Sequence, residues 1–240
     1  MGSAVRPRPR GATGTVWAVI PAAGRGERMG AKKQDLRLGG RPLLALTLGV
    51  FETTPAVAGV VVAVPREDVA GWRRRLARLR KVRAVVAGGA VRQASVAWGL
   101  AALPPGVEWV VVHDGVRPFV TRRLLETVIA EARAWGAATA ALPLAETVKR
   151  GVDGWVKETV EREGLWTIQT PQAFRLSLLR EAHARAEAEG VQGTDDAVLV
   201  ERLGHPVRLV TGLATNLKIT RPEELELARA LLRRAGRRGP

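Results

Sequence analysis

Chemistry first shows in the segment Pro21-Ala-Ala-Gly-Arg-Gly-Glu-Arg-Met-Gly30, where Gly24, Gly26 and Gly30 alternate with Arg25 and Arg28, and Lys32 and Lys33 follow. Glycine lets backbone N–H groups come close to an anion, and guanidinium and ammonium groups neutralise its charge. The segment therefore reads as a cradle for nucleotide phosphates. Its spacing is not that of a Walker loop, which needs Gly-Lys-Ser/Thr, nor Gly-x-Gly-x-x-Gly, because position 29 is Met and the last glycine falls one place late. Residues 87–92, with Gly88, Gly89 and Arg92, and residues 113–118, with Asp114 and Arg117, offer further backbone amides and charges.

Those loops need rigid elements behind them. Apolar runs of strand length recur at 16–20, 59–64, 82–86, 109–112 and 137–142, and helix-periodic segments separate them. The expected helices cover 43–52, opened by Pro42, then 67–80, 92–102 and 121–135, the last with Thr121 as N-cap. Such alternation predicts a doubly wound, mainly parallel Rossmann-like α/β sheet. The loops after its first, third and fourth strands, 21–30, 87–92 and 113–118, then share the rim where ligands bind. Past Leu142 the rhythm breaks. Thr147-Val-Lys-Arg150 and Trp155–Val160 flank a Gly151-Val-Asp-Gly154 turn, which predicts a β-hairpin arm at about 143–165. A lone ribbon is marginally stable, so the arm is expected to pack on its counterpart in a homodimer. The chain closes with expected helices at 175–189 and 195–203, strands at 207–210 and 216–220, and a final helix opened by Pro222. One α/β domain over 15–240 follows a basic tail, 1–14, expected to be disordered.

Composition narrows the function classes. There are 38 Lys and Arg against 23 Asp and Glu, a net charge of +15, which favours polyanionic partners. No cysteine is present, which excludes thiolate metal sites and cysteine nucleophiles. His113, His183 and His205 are too dispersed for a local metal motif, and each is expected to be structural or on the surface. No apolar run approaches the roughly 20 residues needed to cross a bilayer, so a soluble, cytoplasmic protein without a membrane partner is expected. The basic run Trp72-Arg-Arg-Arg-Leu-Ala-Arg-Leu-Arg-Lys81 suggests nucleic-acid binding as a rival function. Leu76 and Leu79, three apart among the basic residues, favour an amphipathic helix docked on the sheet instead, so no nucleic acid is expected.

Taken in order, the motifs Pro21-Ala-Ala-Gly-x-Gly-x-Arg-Met, Lys33-Gln34, Arg92-x-x-Ser95-Val, Val112-His-Asp-x-x-Arg-Pro118, Thr147, Gly164-Leu-Trp, Gln169-Thr-Pro-Gln172, Thr194-Asp195 and Lys218-Ile-Thr-Arg-Pro-Glu223 resemble the 2-C-methyl-D-erythritol 4-phosphate cytidylyltransferases. The match runs from about Val16 to Leu232. The resemblance implies transfer of a cytidylyl group from CTP to a methylerythritol phosphate, with release of pyrophosphate, in isoprenoid precursor synthesis. It implies catalytic roles at the α-phosphate for Arg28, Lys33 and Lys218. Nucleotide contacts are implied for Ala22, Ala23, Gly24, Gly89, Arg92, Ser95 and Asp114, with Arg92 alternatively a brace between loops. Acceptor contacts are implied for Arg117, Thr147, Arg162, Thr170 and Thr194, with at least one of Thr147 and Arg162 reaching across the dimer. Mg²⁺ is expected on the CTP phosphates, with no protein ligand assigned. Three departures, Asp35, Ala90 and Gly115-Val116, leave the catalytic groups in place; the last bears on acceptor choice, and ribitol 5-phosphate is the rival acceptor.

Overall fold

The computed structural model describes residues 14–24 and 35–236. The expected tail up to residue 13, and Arg28 and Lys33 in the first loop, lie outside the described residues. In chain order the elements are β1 (Thr15–Pro21), the short pair β2 (Arg37–Leu38) and β3 (Arg41–Pro42), α1 (Leu43–Thr53), β4 (Gly59–Val64), α2 (Val69–Leu76), β5 (Val82–Ala87), α3 (Arg92–Ala101), β6 (Val107–Val112), α4 (Arg122–Trp135) and β7 (Ala137–Pro143). They continue with β8 (Val148–Val152), β9 (Trp155–Val160), β10 (Trp166–Arg175), α5 (Leu176–Ala188), α6 (Asp196–Glu201), β11 (Arg208–Thr211) and α7 (Pro222–Gly236).

Seven strands form one sheet in the order β11-β7-β10-β6-β1-β4-β5. All neighbours are parallel except β10, which runs antiparallel to both β6 and β7. The β-branched run Gly59–Val64 is buried at every position, as a strand covered on both faces must be. Successive side chains of β1 go to opposite layers. Ala18 and Ile20 join Leu44, Leu48 and Phe51 of α1 and Leu125 and Val128 of α4, whereas Val19 joins Val96 and Leu100 of α3 and Leu179 of α5. A Cβ at Gly99 would lie 2.4 Å from Val19 Cγ1, so α3 can approach β1 this closely only with glycine there. Thr121 caps α4, its Oγ1 accepting from the Leu124 N–H.

Three sequence expectations need correction. The helix expected over 67–80 is a 3₁₀ turn, Arg66–Asp68, followed by α2, which stops at Leu76. The chain then bends so that the Arg80 and Lys81 amides each donate to the Glu52 carboxylate at 2.9 Å, a partner that a continuing helix could not reach. Trp72 and Leu76 are buried against the sheet, and Arg75 pairs with Asp35. The ten-residue strand β10 has no counterpart among the expected elements. Pro171 within it argues against a central strand, since proline gives the ladder no donor. Here Pro171 falls inside a register break between Ile168 and Gln172, and the Thr170–Pro171 peptide is cis. Residues 216–220 are not a strand but an irregular segment, tied down by the Ile219 N–H donating to the Val116 carbonyl at 3.0 Å. The hairpin arm is present as β8 and β9 around Asp153-Gly154, both with positive φ. It is rooted by the Leu144 N–H donating to the Leu165 carbonyl.

Candidate active site

The carboxyl ends of β1, β5 and β6 meet at a cavity of about 220 Å³. One wall is the first loop, Pro21 to Gly24; a second is Gly89, Ala90 and Val91 with Arg92 and Ser95; Asp114, Val116, Lys218 and Thr220 close the third. The first two walls are built mostly of small residues. The Ala22 N–H donates to the Ala63 carbonyl and the Gly88 N–H to the Val64 carbonyl, each at 2.7 Å, which anchors both loops to β4. A Cβ at Gly88 would come within 2.3 Å of Ala23 Cβ and 2.9 Å of Ser95 Oγ, so the two loops can converge only because that side chain is absent. The buried Ser95 hydroxyl accepts from the Gly89 N–H at 3.1 Å and lies 3.1 Å from the Val91 carbonyl, folding the second loop on itself.

Charge is concentrated on the third wall. Asp114, 5% exposed, accepts from Arg92 Nε on Oδ1 at 3.0 Å, while Oδ2 lies 3.0 Å from Lys218 Nζ and 3.5 Å from Arg117 Nε. Burial by itself would raise its carboxyl pKa. The positive groups of Arg92, Lys218 and Arg117 more than reverse this and hold the acid well below the usual carboxylate range, so it is ionised. Arg117 is also fixed by its Nη1 donating to the Asn216 carbonyl at 2.7 Å, and Asn216 Nδ2 donates to the Thr170 carbonyl at 2.8 Å. Lys218 is different in kind: its side chain is 43% exposed at the cavity edge. Among the described residues the site thus presents the accessible ammonium of Lys218, oriented by a buried carboxylate, together with two loops of small residues. That arrangement suits a polyphosphate with a small base.

His113 supports Asp114 from below. It is fully buried; its Nδ1 lies 3.0 Å from Thr170 Oγ1 and its Nε2 lies 3.2 Å from the Arg117 carbonyl. Since a carbonyl can only accept, Nε2 carries the hydrogen and Nδ1 accepts from the Thr170 hydroxyl, whose oxygen in turn accepts from the Asp114 N–H at 3.0 Å. Burial pushes the imidazole down from 6.5 to about 4, outweighing the carbonyl contact that favours the charged form. Between those values the unfolded chain binds a proton that the folded chain refuses, so stability is full above pH 6.5 and falls as the pH drops towards 4, by about 3 kcal/mol in all. The slope of urea-unfolding free energy between pH 6.5 and 5, above the range where carboxylates titrate, should flatten in His113→Gln. An unchanged slope would show that another group sets it.

A sequence model of the 2-C-methyl-D-erythritol 4-phosphate cytidylyltransferase (IspD) family matches residues 16–234. The chain belongs to this family. A cytidylyltransferase of that name from Geobacter metallireducens is 49% identical over 226 residues, covering 91% of this chain and 97% of the relative. Among solved structures, the cytidylyltransferase of Thermus thermophilus is 42% identical with a TM-score of 0.78, covering 91% of this chain and 99% of that one. The 4-diphosphocytidyl-2C-methyl-D-erythritol synthase of Anaerococcus prevotii is 32% identical with a TM-score of 0.83, covering 92% and 96%.

Within this cytidylyltransferase fold, the structure brings Ala22, Ala23, Gly24, Gly89, Arg92, Ser95, Asp114 and Lys218 to one cavity. Arg117 and Thr170 lie just behind it, both buried, their polar groups engaged as described. Thr147 and Arg162 stand exposed at the foot of the arm and do not line the cavity of their own chain, and Arg162 bonds the Ala145 carbonyl. Thr194 is exposed just before α6. Among the described residues no three His, Asp or Glu side chains come together as a metal cage, and Asp114 is the sole carboxylate lining the cavity. Sequence reasoning passes over Asn216 and Asp196 and gives no role to Gln172 within its motif, although all three brace the site without lining it. The one signal available is their closeness in sequence to Lys218, Thr170 and Thr194.

Proposed function

We infer that this enzyme holds CTP across the cavity and transfers its cytidylyl group to 2-C-methyl-D-erythritol 4-phosphate. The observation that carries this reading is Lys218 Nζ at the cavity mouth, 3.0 Å from Asp114 and opposite the backbone walls of the first and second loops. Cytosine fits between those loops, where backbone amides and carbonyls can read its edge and the confined space excludes a purine. An oxygen of the acceptor phosphate attacks the α-phosphorus of CTP. A new P–O bond forms, the bond to the β-phosphate oxygen breaks, and pyrophosphate leaves. Both reactants are anionic, so cations at the reacting phosphorus supply most of the catalysis, through position and charge. Lys218 takes that part, and Arg28 and Lys33 of the first loop are assigned the same part by their place in the motif. Arg117 and Thr170 act by holding Asp114, and Arg92 bridges loops as well as facing the nucleotide.

Magnesium is assigned to the CTP phosphates with water completing its shell, since the one carboxylate that lines the cavity among the described residues is already shared by three cations. When bound it neutralises charge on the triphosphate. The acceptor side is assigned to Thr147, Arg162 and Thr194, with Thr147 and Arg162 supplied across a homodimer joined by the arm. The arm ends in an exposed apolar tip, with Trp155 80% exposed. No described helix is long and apolar enough to cross a membrane, and the cytoplasm is assigned as the site of action, with neither nucleic acid nor membrane as partner. The test is pyrophosphate release with CTP and Mg²⁺, comparing methylerythritol 4-phosphate with ribitol 5-phosphate and running ATP, GTP and UTP beside CTP. Turnover confined to CTP and methylerythritol 4-phosphate is expected. Preference for ribitol phosphate would overturn the acceptor, and indifference to the base would overturn the pocket assignment.

A further inference from the structure

Asp196, the first residue of α6, does not line the cavity, yet its buried carboxylate is tied to it. Its Oδ2 accepts from Arg92 Nη1 at 2.7 Å, and Oδ1 lies 3.0 Å from His183 Nε2. Its backbone N–H donates to Gln172 Oε1 at 3.1 Å, while Gln172 Nε2 donates to Thr139 Oγ1 and to Asp195 Oδ2. Side chains from α5, β10 and β7 therefore fix this carboxylate in a set place. Arg92 sits between it and Asp114. The guanidinium gives Nη1 to Asp196 and Nε to Asp114, and its third nitrogen, Nη2, is buried without an acceptor among the described residues.

A guanidinium facing one carboxylate prefers to grip both of its oxygens in a two-pronged pair. Such a grip on Asp114 would draw Oδ2 away from Lys218. We propose that Asp196 is a positioning residue for the nucleotide site: by holding Nη1 of Arg92 it divides the guanidinium between two carboxylates, keeps Asp114 Oδ2 on Lys218, and so sets the Lys218 ammonium in place for the bound nucleotide. This rests on the CTP-dependent reading above, and wild-type turnover of CTP is the control that separates a failure of that reading from a failure of this one.

The experiment is steady-state kinetics of Asp196→Asn, with the folded fraction checked by its thermal transition. The variant keeps an oxygen near Arg92 but removes the charge that holds it. The expected result is a KM for CTP raised about tenfold, the scale of one charge-assisted hydrogen bond, with kcat also lowered. A purely structural role would instead lower kcat with the active fraction and leave KM unchanged, and that result overturns the proposal. Arg92→Lys keeps the charge but has no fork to divide, so in that background Asp196→Asn should change KM for CTP less than about threefold; a full tenfold effect there would show that Asp196 acts by another route. Should Asp196→Asn fail to fold, His183→Ala loosens the same carboxylate from its far side. A KM for CTP raised severalfold supports the proposal, and an unchanged KM overturns it.

Discussion

Lys218→Ala should lower kcat by about 10²–10³-fold while the protein folds normally, the loss seen when one preorganised charge is taken from a developing anion. The side chain stands half-exposed at the cavity edge, and its one ion pair among the described residues is to Asp114. The backbone that carries it is held independently, by fully buried Ile219 and by the Ile219 N–H to Val116 carbonyl bond. Truncation therefore removes the ammonium and little else. Lys218→Arg should recover only part of the rate, since a planar fork cannot place its charge where a compact ammonium sits. Single-turnover measurement at saturating CTP and acceptor, beside a thermal melt, checks this. A kcat within threefold of wild type would remove Lys218 from the catalytic set.

The second large effect concerns stability. Asp114→Asn should cost about 3–5 kcal/mol at neutral pH, because it removes the one negative charge that Arg92, Arg117 and Lys218 share and leaves buried Arg117 uncompensated. The sign in pH follows from the depressed carboxyl pKa. This stabilisation is complete above the unfolded value of 3.8 and is lost only as the pH falls below it towards the still lower folded value. The pH dependence between 6.5 and 5 thus belongs to His113, and that below 4 to Asp114 and the other carboxylates. Urea unfolding of Asp114→Asn at pH 7 tests the figure, and a loss under about 1 kcal/mol would mean that the cluster relaxes into solvent.

Much of this architecture is legible in the order of the residues alone. The run Val16-Trp-Ala-Val-Ile20 reads only as a buried strand, and the glycine-rich loop after it must sit on the ligand rim. What stays hidden is β10. Its sequence, Trp166-Thr-Ile-Gln-Thr-Pro-Gln-Ala-Phe-Arg175, is polar and carries proline, because the strand spends its middle on the site: Thr170 serves His113 and Asp114, and Gln172 serves Thr139, Asp195 and Asp196. Periodicity reports burial against apolar neighbours and is silent about a strand whose inward groups bind other polar groups. For the same reason the motif points to Lys218, whereas Asn216, two residues before it and fully buried, carries no signal of its own.

The charged cluster joins distant parts of the chain. Arg92 meets Asp196 across 104 residues, and Arg117 meets Asn216 across 99. Contacts of that span are slow to form, because each must first close a long loop of disordered chain. β1, β4, β5 and α3 can collapse from local pairings well before then. Lys218 follows every strand of the sheet in the sequence, so during synthesis the sheet emerges first and the wall that Lys218 completes is added afterwards. Until residues 216–220 have emerged, the cavity beside the first two loops lacks the Lys218 side of its third wall.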